Sequence, residues 1–310
     1  MEIFFNTIKK LNTRTAVALG QFDAMHIGHT EIIRKTVEYA KDNNMKSLVF
    51  LFENDPLEVI SGKKSKNVNS LSKRIEILRA LGVDIVFVKK FDNDFMKLSY
   101  IDFIDSYLVD AFNAGFVAAG FNYRFGIGAE GNTEKLTREC ASRGIETVVV
   151  QEVMYNGKTV SSTEIRNEIS AGNVDKAAKL MGRYYSISGI IKEGNKLGRS
   201  VIGFPTANIE IPHDRVLPKL GVYIAVATLD GKKYTAICNI GEKPSVENNY
   251  PCIETHIDGD FGELYGKEIE VEFCKFIREI SCFDSLEKLA GQLAADKTAA
   301  REYFKNYIEK

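Results

Sequence analysis

The chain has neither a surplus of positive charge nor an apolar run long enough to cross a bilayer. Its 41 lysines and arginines stand against 42 aspartates and glutamates, which leaves a net charge of -1. Because nucleic-acid-binding proteins carry basic surfaces, we expect no nucleic-acid partner. Because a spanning helix needs about 20 apolar residues, we expect no membrane partner. Residues 1–6 lack the basic start and apolar run of a secretory signal peptide, so we predict a cytoplasmic protein.

The five cysteines form no pattern that is typical of a metal site or a disulfide framework. No two of them are arranged as Cys-x-x-Cys, and no cluster of histidines lies near them. We therefore expect reduced and mostly buried thiols. The cysteines are Cys140, Cys238, Cys252, Cys274 and Cys282.

Two segments with different hydrophobic patterns divide the 310 residues. Up to about Gly182, short apolar runs alternate with amphipathic stretches, which predicts an α/β domain with a doubly wound parallel sheet. After Tyr184, segments rich in β-branched and aromatic residues follow one another, which predicts an antiparallel barrel or sandwich with a C-terminal helix. The predicted domains are residues 1–182 and 183–310, joined without a Gly/Ser-rich or Pro-rich linker. The predicted strands are 16–19, 47–52, 85–88, 116–119, 147–150, 186–191, 221–229, 233–240, 254–257 and 268–276, and the predicted helices are 72–81, 100–112, 133–143 and 285–308.

The first predicted strand runs into a turn that carries two histidines three positions apart, His26 and His29. A helix that begins there offers free backbone amides and the positive end of its dipole to a phosphate group. The imidazoles then stabilise charge on a phosphate in transfer, and Gly28 lets the backbone approach it closely. The alternative is that the two histidines have only a structural role, in which they cap the helix and one of them packs against other side chains.

A second polar cluster runs from Ser161 to Arg166. Its hydroxyl groups are suited to capping a helix, and its arginine is suited to a bidentate contact with phosphate. The alternative is a plain N-cap beside a surface arginine.

The third cluster begins with a segment rich in glycine and cations, residues 189–199, and continues into Gly-Phe-Pro-Thr-Ala-Asn at 203–208. The nucleotide-binding pattern Gly-x-x-x-x-Gly-Lys-Ser/Thr is absent from the chain. Backbone amides of a glycine-bearing loop can nevertheless wrap phosphates, and the neutral oxygens of Thr206 and Asn208 suit Mg²⁺ that is shared with ATP. Taken alone, the glycines predict turns and Thr-x-Asn predicts a turn cap.

The first two clusters together resemble the adenylyltransferase half of bacterial bifunctional riboflavin kinase/FAD synthetases. The likeness rests on His26-Ile27-Gly28-His29, on Ser161-Ser162-Thr163 with Arg166, and on the aromatic and glycine-bearing loop 120–126. The resemblance implies transfer of AMP from ATP to FMN with release of pyrophosphate. It implies that the two histidines contact the phosphates, that Asn122 shapes the FMN end, and that the serine cluster closes over the triphosphate.

The rest of the chain is similar to the riboflavin kinase family. Gly-Phe-Pro-Thr-Ala-Asn at 203–208 and Glu-Thr-His-Ile at 254–257 occur in the family's order. The resemblance implies that Glu254 is the general base for the ribityl hydroxyl, and that Thr206 and Asn208 hold Mg²⁺ and ATP phosphates. The alternative is that Glu254 is only a solvated strand residue.

The resemblance assigns the candidate residues of both sites. The catalytic set is Glu254, His26, His29 and Arg166, and the metal set is Thr206 and Asn208. The residues expected to bind ATP or flavin are Gly20, Phe22, Asp23, Gly28, Asn122, Ser161, Ser162, Thr163, Gly194, Lys196, Gly198, Arg199, Pro205, Asn239, Arg278 and Phe283. The implied cofactor is Mg²⁺, ATP is the co-substrate, and riboflavin, FMN and FAD are substrate and product.

Several positions depart from the family pattern. Ala24 stands at a usual glycine and Asp55 at a usual histidine, while Ile280 and Cys282 stand at a usual acid and lysine; the spacing before Gly203 is one residue longer. These departures leave two alternatives to a bifunctional enzyme: a riboflavin kinase with a degenerate N-terminal domain, and a flavin-binding regulator without turnover. The sequence leaves the oligomeric state open.

Overall fold

The computed structural model describes residues 1–7, 9–192, 206–242, 251–259 and 261–308. The chain divides into two compact units, Met1–Ser162 and Thr163–Lys310. The domain boundary that the sequence predicts, at 182/183, lies further along the chain and stays a prediction. Among the described residues, no helix combines the length and the apolar character that a membrane crossing needs.

The first unit is built on a parallel sheet of six strands in the order β1-β4-β3-β2-β5-β6. All five residues of the central strand β2 are buried, as expected for a strand covered on both faces. The doubly wound parallel sheet is confirmed, and the edge strand β1 is an addition to the prediction. The strands are β1 Glu2–Phe5, β2 Thr15–Leu19, β3 Lys46–Phe52, β4 Ile85–Lys89, β5 Ala114–Gly120 and β6 Glu146–Val150.

Helices cover both faces of this sheet. One apolar cluster joins the helices Ile27–Asp42 and Leu71–Ala80 to one face, and a second cluster rich in phenylalanine covers the other. The predicted helix 100–112 is an α-helical turn that continues as a π-helix at Ile104–Ala111, and Phe112 N accordingly donates to Tyr107 O five residues back, at 2.8 Å. The helices are α1 Ile27–Asp42, α2 Pro56–Ser61, α3 Leu71–Ala80, α4 Asn93–Met96, α5 Tyr100–Phe103 and α6 Thr133–Ala141, and a small hairpin follows with β7 Met154–Tyr155 and β8 Lys158–Thr159.

The second unit is an antiparallel sheet of six strands in the order β10-β13-β12-β11-β14-β9. An isolated bridge, in which Lys192 N donates to Asn208 O at 2.8 Å, joins the two edges of the sheet. The sheet therefore curls into a barrel, as predicted. Its strands are β9 Tyr185–Ile190, β10 Thr206–Glu210, β11 Gly221–Leu229, β12 Lys232–Glu242, β13 Pro251–Ile257 and β14 Glu268–Arg278; its helices are α7 Ser162–Ser170, α8 Val174–Met181 and α9 Leu286–Ile308.

The predicted C-terminal helix is confirmed as α9, which lies on one face of the barrel sheet. Ala300 packs there against Ile224 and Ile237. Asp258, the residue directly after β13, accepts from Lys297 Nζ at 2.7 Å and from Arg301 Nε at 3.0 Å. The opposite face buries large aromatic side chains, including Tyr185, Tyr223 and Phe273, so the sheet has an aromatic face and a helix-covered face.

Candidate active sites

The first candidate site lies at the carboxyl edge of the parallel sheet. The central strand β2 has β3 on one side and β5 on the other, so the strand order reverses there. Leu19, the last residue of β2, pairs with Ala119 of β5. The segment after β2, residues 20–29 (the histidine turn), therefore leaves the sheet beside the segment after β5, residues 121–131 (the glycine loop). Ligands of open parallel sheets bind at such a switch point.

The histidine turn places its two imidazoles face to face. The rings of His26 and His29 stack with their centroids 3.6 Å apart. His26 is the N-cap of α1, since its Nδ1 accepts from His29 N at 3.2 Å. Because Nδ1 of His26 accepts, the ring hydrogen of the neutral imidazole is on Nε2, which makes that nitrogen a donor. The structure thus brings the predicted pair together, and one of the two also caps the helix.

Strained backbone holds this turn in shape. Phe22 and Met25 have φ angles of 51° and 45°, and both side chains are fully buried. Such strain persists where packing over-determines the conformation. A Cβ on Gly20 would come within 2.8 Å of the Phe22 ring, and one on Gly28 within 3.2 Å of the His26 ring. A side chain at Gly20 would therefore collide with the Phe22 ring, and one at Gly28 would crowd the His26 ring. The predicted approach of a phosphate to Gly28 stays a prediction.

Asp23, predicted to bind a ligand, is buried and bonded to the protein itself. Its Oδ1 accepts from the backbone nitrogens of Val68 at 3.0 Å and Asn69 at 3.4 Å. Its own carbonyl accepts from Asn69 Nδ2 at 2.6 Å. In this structure Asp23 holds residues 68 and 69 against the histidine turn.

Two buried charged residues lie beside this turn; the sequence analysis noted Asp55 only as a departure from the family pattern and missed Arg74. Asp55, the N-cap of α2, accepts from Gln21 Nε2 at 2.8 Å and from Ser65 Oγ. Arg74 donates to Phe52 O at 2.9 Å, and its further contacts to the carbonyls of residues 21 and 53 tie the ends of two strands together. Arg74 lies four residues before the buried Leu78, so helical periodicity places it on the inner face despite its charge.

The glycine loop presents Asn122 and apolar side chains at the same edge of the sheet. Asn122 is exposed, and its Oδ1 lies 3.5 Å from the place of a Cβ on Gly120. Phe121 and Ile127 are 42% and 45% exposed, and Tyr123 stacks on Phe125 at 5.5 Å. The loop therefore combines an amide with apolar surface, which suits a planar ring that carries polar groups.

The predicted cluster from Ser161 to Arg166 lies at the start of α7. The helix begins at Ser162 and contains Arg166 one turn later. Both side chains are partly exposed and Thr163 is exposed. The division between the two units falls between Ser162 and Thr163. Participation of these residues in the first site stays a prediction.

The second candidate site is a row of residues across the barrel sheet. Asn208 of β10 pairs with Glu254 of β13, which pairs with Asn239 of β12. The row continues through Val222 of β11 to Arg278 of β14. Directly paired residues project to the same face of a sheet, so the metal, base and flavin candidates share the helix-covered face. Thr206, two residues before Asn208, lies on that face as well.

The strand position of Thr206 and Asn208 differs from the turn cap that their sequence favours when taken alone. Both residues lie within β10, and Asn208 is buried. Two oxygens therefore project from one rigid strand. This arrangement fixes their spacing more firmly than a loop does.

Buried polar groups lie close to Glu254 in this row. Glu254 is partly buried, and Asn239 Oδ1 is buried without a hydrogen-bond donor among the described residues. Burial lowers the pKa of the neighbouring His256, an effect that the charge of Glu254 partly offsets. An unsatisfied buried oxygen costs free energy unless a ligand supplies its partner.

Hard cations such as Mg²⁺ prefer oxygen ligands, and the helix-covered face of the barrel sheet carries several side-chain oxygens. The Thr206 hydroxyl and the Asn208 amide oxygen lie on one strand, and the orphaned Asn239 oxygen lies on the same row as Asn208. No group of three acidic, histidine or cysteine side chains suited to a metal occurs among the described residues. The donor set fits Mg²⁺ that takes its remaining ligands from phosphates and water.

Arg278, predicted near the flavin, is bound to α9 through a buried carboxylate. Its Nη2 donates to Asp296 Oδ2 at 2.7 Å, and its Nε lies 3.1 Å from both oxygens. Its guanidinium also lies 6.0 Å from the ring of Phe283. The two predicted residues are thus brought together, with Arg278 anchoring the helix.

Part of the predicted phosphate loop lies outside the described residues. These positions are Gly194, Lys196, Gly198, Arg199 and Pro205.

Comparisons with known proteins cover both halves of the chain. The FAD synthetase family model matches residues 8–164, and the riboflavin kinase family model matches residues 181–304. The bifunctional riboflavin kinase/FMN adenylyltransferase of Buchnera aphidicola is 34% identical over 304 residues, which cover 96% of this chain and 97% of that protein. Its Escherichia coli K12 counterpart is 34% identical over 290 residues, or 93% of this chain and 92% of that one.

A solved structure shares the whole architecture. A Streptococcus pneumoniae crystal structure, described as a macrolide-efflux protein, superposes with a TM-score of 0.89 and 28% identity, covering 97% of this chain and 99% of that one. The two family models match in this order, and the relatives match over nearly their full length, so both comparisons indicate the same family. This chain belongs to the family of bifunctional riboflavin kinase/FMN adenylyltransferases.

Proposed function

We propose that this chain makes FAD in two steps. The active sites are the row of Asn208, Glu254 and Asn239 in the barrel unit and the histidine turn with the glycine loop in the parallel-sheet unit. The barrel unit phosphorylates riboflavin with ATP to give FMN, and the parallel-sheet unit adenylates FMN with ATP to give FAD and pyrophosphate. The observation that carries the proposal is the row of Asn208, Glu254 and Asn239 on one face of the barrel sheet. This row brings together a candidate base, Glu254, a candidate oxygen ligand for the metal, Asn208, and the buried oxygen of Asn239 that lacks a hydrogen-bond donor among the described residues.

In the kinase reaction, Glu254 accepts the proton of the ribityl 5′-hydroxyl as that oxygen attacks the γ-phosphorus of ATP. The new oxygen–phosphorus bond forms while the bond to ADP breaks, and ADP leaves. Phosphoryl transfer depends mainly on positioning and charge stabilisation, so one base on a rigid strand is sufficient. Asn239 binds the substrate through its unsatisfied oxygen.

Mg²⁺ would supply positive charge that offsets the negative charge of the phosphates during the transfer. Thr206 and Asn208 would hold it, since both offer oxygen from the same strand. Its presence in this site belongs to the proposal.

In the adenylyltransferase reaction, a phosphate oxygen of FMN attacks the α-phosphorus of ATP, and the bond to pyrophosphate breaks. The Nε2 hydrogen of His26 and the amide end of α1 face developing negative charge. The stacked His29 holds the first imidazole in place. Asn122 in the glycine loop is the candidate contact for FMN.

Both departures near this first site are compatible with activity. Ala24 is not among the residues with positive φ, so its backbone does not require glycine. Asp55 makes three hydrogen bonds, to Leu57 N, to Gln21 and to Ser65. These observations favour a competent enzyme over the alternative of a degenerate N-terminal domain.

Chromatography of the products from riboflavin, ATP and Mg²⁺ tests the proposal. We expect FMN first and FAD later. FMN without any FAD would reject the second activity and support the kinase-only alternative. Glu254→Gln is expected to lower FMN formation by about 10²-fold with riboflavin binding retained. An unchanged rate in that variant would instead reject the assigned base.

A further inference from the structure

A buried arginine of α3, Arg74, contacts the histidine turn and the end of β3 at the same time. The residue is 6% exposed. Its Nη1 donates to Phe52 O at 2.9 Å and to Gln21 O at 3.4 Å, and its Nη2 donates to Glu53 O at 3.3 Å. All three acceptors are backbone carbonyls, so Arg74 holds the course of the two segments. A planar guanidinium has several donors in fixed directions, which suits it to joining two segments.

The carbonyl of Gln21 belongs to the peptide group that precedes Phe22, and the orientation of that group sets the φ angle of Phe22. This angle is 51°, a value that a bulky residue keeps only where its surroundings over-determine the backbone. Gln21 is held in two places, since its carbonyl accepts from Arg74 and its Nε2 donates to Asp55 at 2.8 Å. Arg74 therefore helps to hold the peptide group in the orientation that the strained turn needs.

The ring of Phe22 connects this peptide group to the histidine pair. It packs edge to face with the imidazole of His29, with the ring centroids 5.2 Å apart and an interplanar angle of 83°. The same ring lies against Gly20, where an added Cβ would come within 2.8 Å of it. His29 in turn stacks on His26. Because Phe22 is fully buried, a rotation of its backbone would move its ring and, through direct contact, the imidazoles.

We infer that Arg74 is a positioning residue for the adenylyltransferase reaction, which holds the two imidazoles of the histidine turn in place for the α-phosphate of ATP. It acts through the carbonyl of Gln21 and the ring of Phe22, and it touches no substrate. The inference rests on the adenylyltransferase activity proposed above. Stabilisation of charge in a transition state depends closely on the position of the donor, so a displacement of about 1 Å can lower the rate by about 10²-fold.

The kinetics of FAD formation from FMN and ATP test the inference in the full chain. Arg74→Met keeps an unbranched side chain and removes its donors, and we expect it to lower kcat by about 10²-fold. The KM for ATP should change by less than about threefold, because the imidazoles act mainly on the charge of the transition state. Arg74→Lys keeps one donating group and should lower kcat by about tenfold. The matched control is Arg79→Met, which removes an exposed arginine of the same helix and should leave kcat unchanged.

Nuclear magnetic resonance of the histidine rings distinguishes positioning from a general loss of stability. The chain has four histidines, of which His213 and His256 lie in the second unit. With isotope-labelled histidine, Arg74→Lys is expected to shift the ring signals of His26 and His29 and to leave the other two in place. A residue that only stabilised the folded unit would leave all four signals of the folded protein unmoved. Arg74→Lys decides the question if Arg74→Met does not fold.

Three results would overturn the inference. If Arg74→Lys makes FAD at the wild-type rate, or leaves the signals of His26 and His29 in place, Arg74 does not position the imidazoles, even though the wild type makes FAD. An equal loss of kcat in Arg79→Met would show that the effect does not depend on the buried contacts. A wild type that makes no FAD would overturn the proposed adenylyltransferase itself, and this role of Arg74 with it.

Discussion

Ala24 stands between two residues whose φ angles are positive, Phe22 and Met25, yet its own is not. Its side chain is fully buried. Glycine at this position would add flexibility to the unfolded chain and remove a packed methyl group, and it would relieve no strain. We therefore expect Ala24→Gly to change the rate of FAD formation by less than about twofold and to lower the free energy of unfolding by about 1 kcal/mol. Product chromatography and urea denaturation measure the two effects, and a large gain in FAD formation would show that alanine impairs the site.

The thiols fall into two groups that chemical labelling can separate. Burial raises the pKa of Cys140 to about 11 and that of Cys274 to about 12, and it raises the pKa of Cys238 well above its usual range. Since the thiolate is the reactive form, a raised pKa together with burial makes these thiols inert near neutral pH. Cys282 is exposed.

We expect iodoacetamide at pH 8 to modify Cys282 in the native protein and to leave Cys140, Cys238 and Cys274 intact. Peptide mapping by mass spectrometry measures the outcome, and the same treatment in urea should label all of them. Equal labelling of Cys140 and Cys282 in the folded protein would contradict the burial of the former.

At the scale of elements, α9 is held to the barrel by charges as well as by apolar contact. Asp296 is 3% exposed and accepts from Arg278 and from Gln292 Nε2 at 2.8 Å. Removing one partner of such a pair leaves the other charge poorly solvated. The helix is therefore expected to depend on this carboxylate more than on any exposed ion pair.

Asp296→Asn is expected to lower the free energy of unfolding of the barrel unit by about 2 kcal/mol, a value reduced for the partial exposure of Arg278. Urea denaturation, followed by a signal from the barrel unit, measures this decrease in the free energy of unfolding. The control is Glu279→Gln, which removes the exposed pair with Lys219 and should cost less than about 1 kcal/mol. Equal losses in the two variants would mean that the buried pair does not anchor the helix.

At the scale of the whole molecule, each unit has its own core and its own set of described site residues. His26, His29 and Asn122 lie in the first unit, whereas Glu254, Asn208 and Asn239 lie in the second. FMN is both the product of one proposed site and the substrate of the other. The two proposed activities are therefore expected to be separable by mutation.

We expect Glu254→Gln to make FAD from supplied FMN, and His29→Asn to convert riboflavin only to FMN. A mixture of the two variants should then produce FAD from riboflavin, because released FMN reaches the intact first site of the other molecule. Chromatography over time measures this. No FAD from the mixture, with each variant active on its own substrate, would indicate that FMN does not pass through solution.

The cytoplasmic location predicted from the sequence remains a prediction.

Local sequence pattern was sufficient for most elements and for both chemistries. Apolar runs placed β2 and β3 within a residue of their bounds, because side-chain periodicity is a property of neighbouring residues. Motif order was sufficient to select Glu254 and the two histidines. It did not place Thr206 and Asn208 in a strand, since a strand needs a partner and β10 pairs with β13 nearly fifty residues later.

Side-chain partnerships between distant segments were decided only by folding. Asp55 reaches both Gln21 and Ser65, and Arg278 reaches Asp296 across from β14 to α9. A buried charge is stable only where the fold supplies its partner, and no local pattern names that partner. Periodicity therefore predicted the fold class, and the resemblance carried by the motifs and their order predicted the family and the two reactions. Strand register and burial decided which polar residues share a face of the barrel sheet, and which, like Asp55 and Asp296, bond to distant parts of the protein.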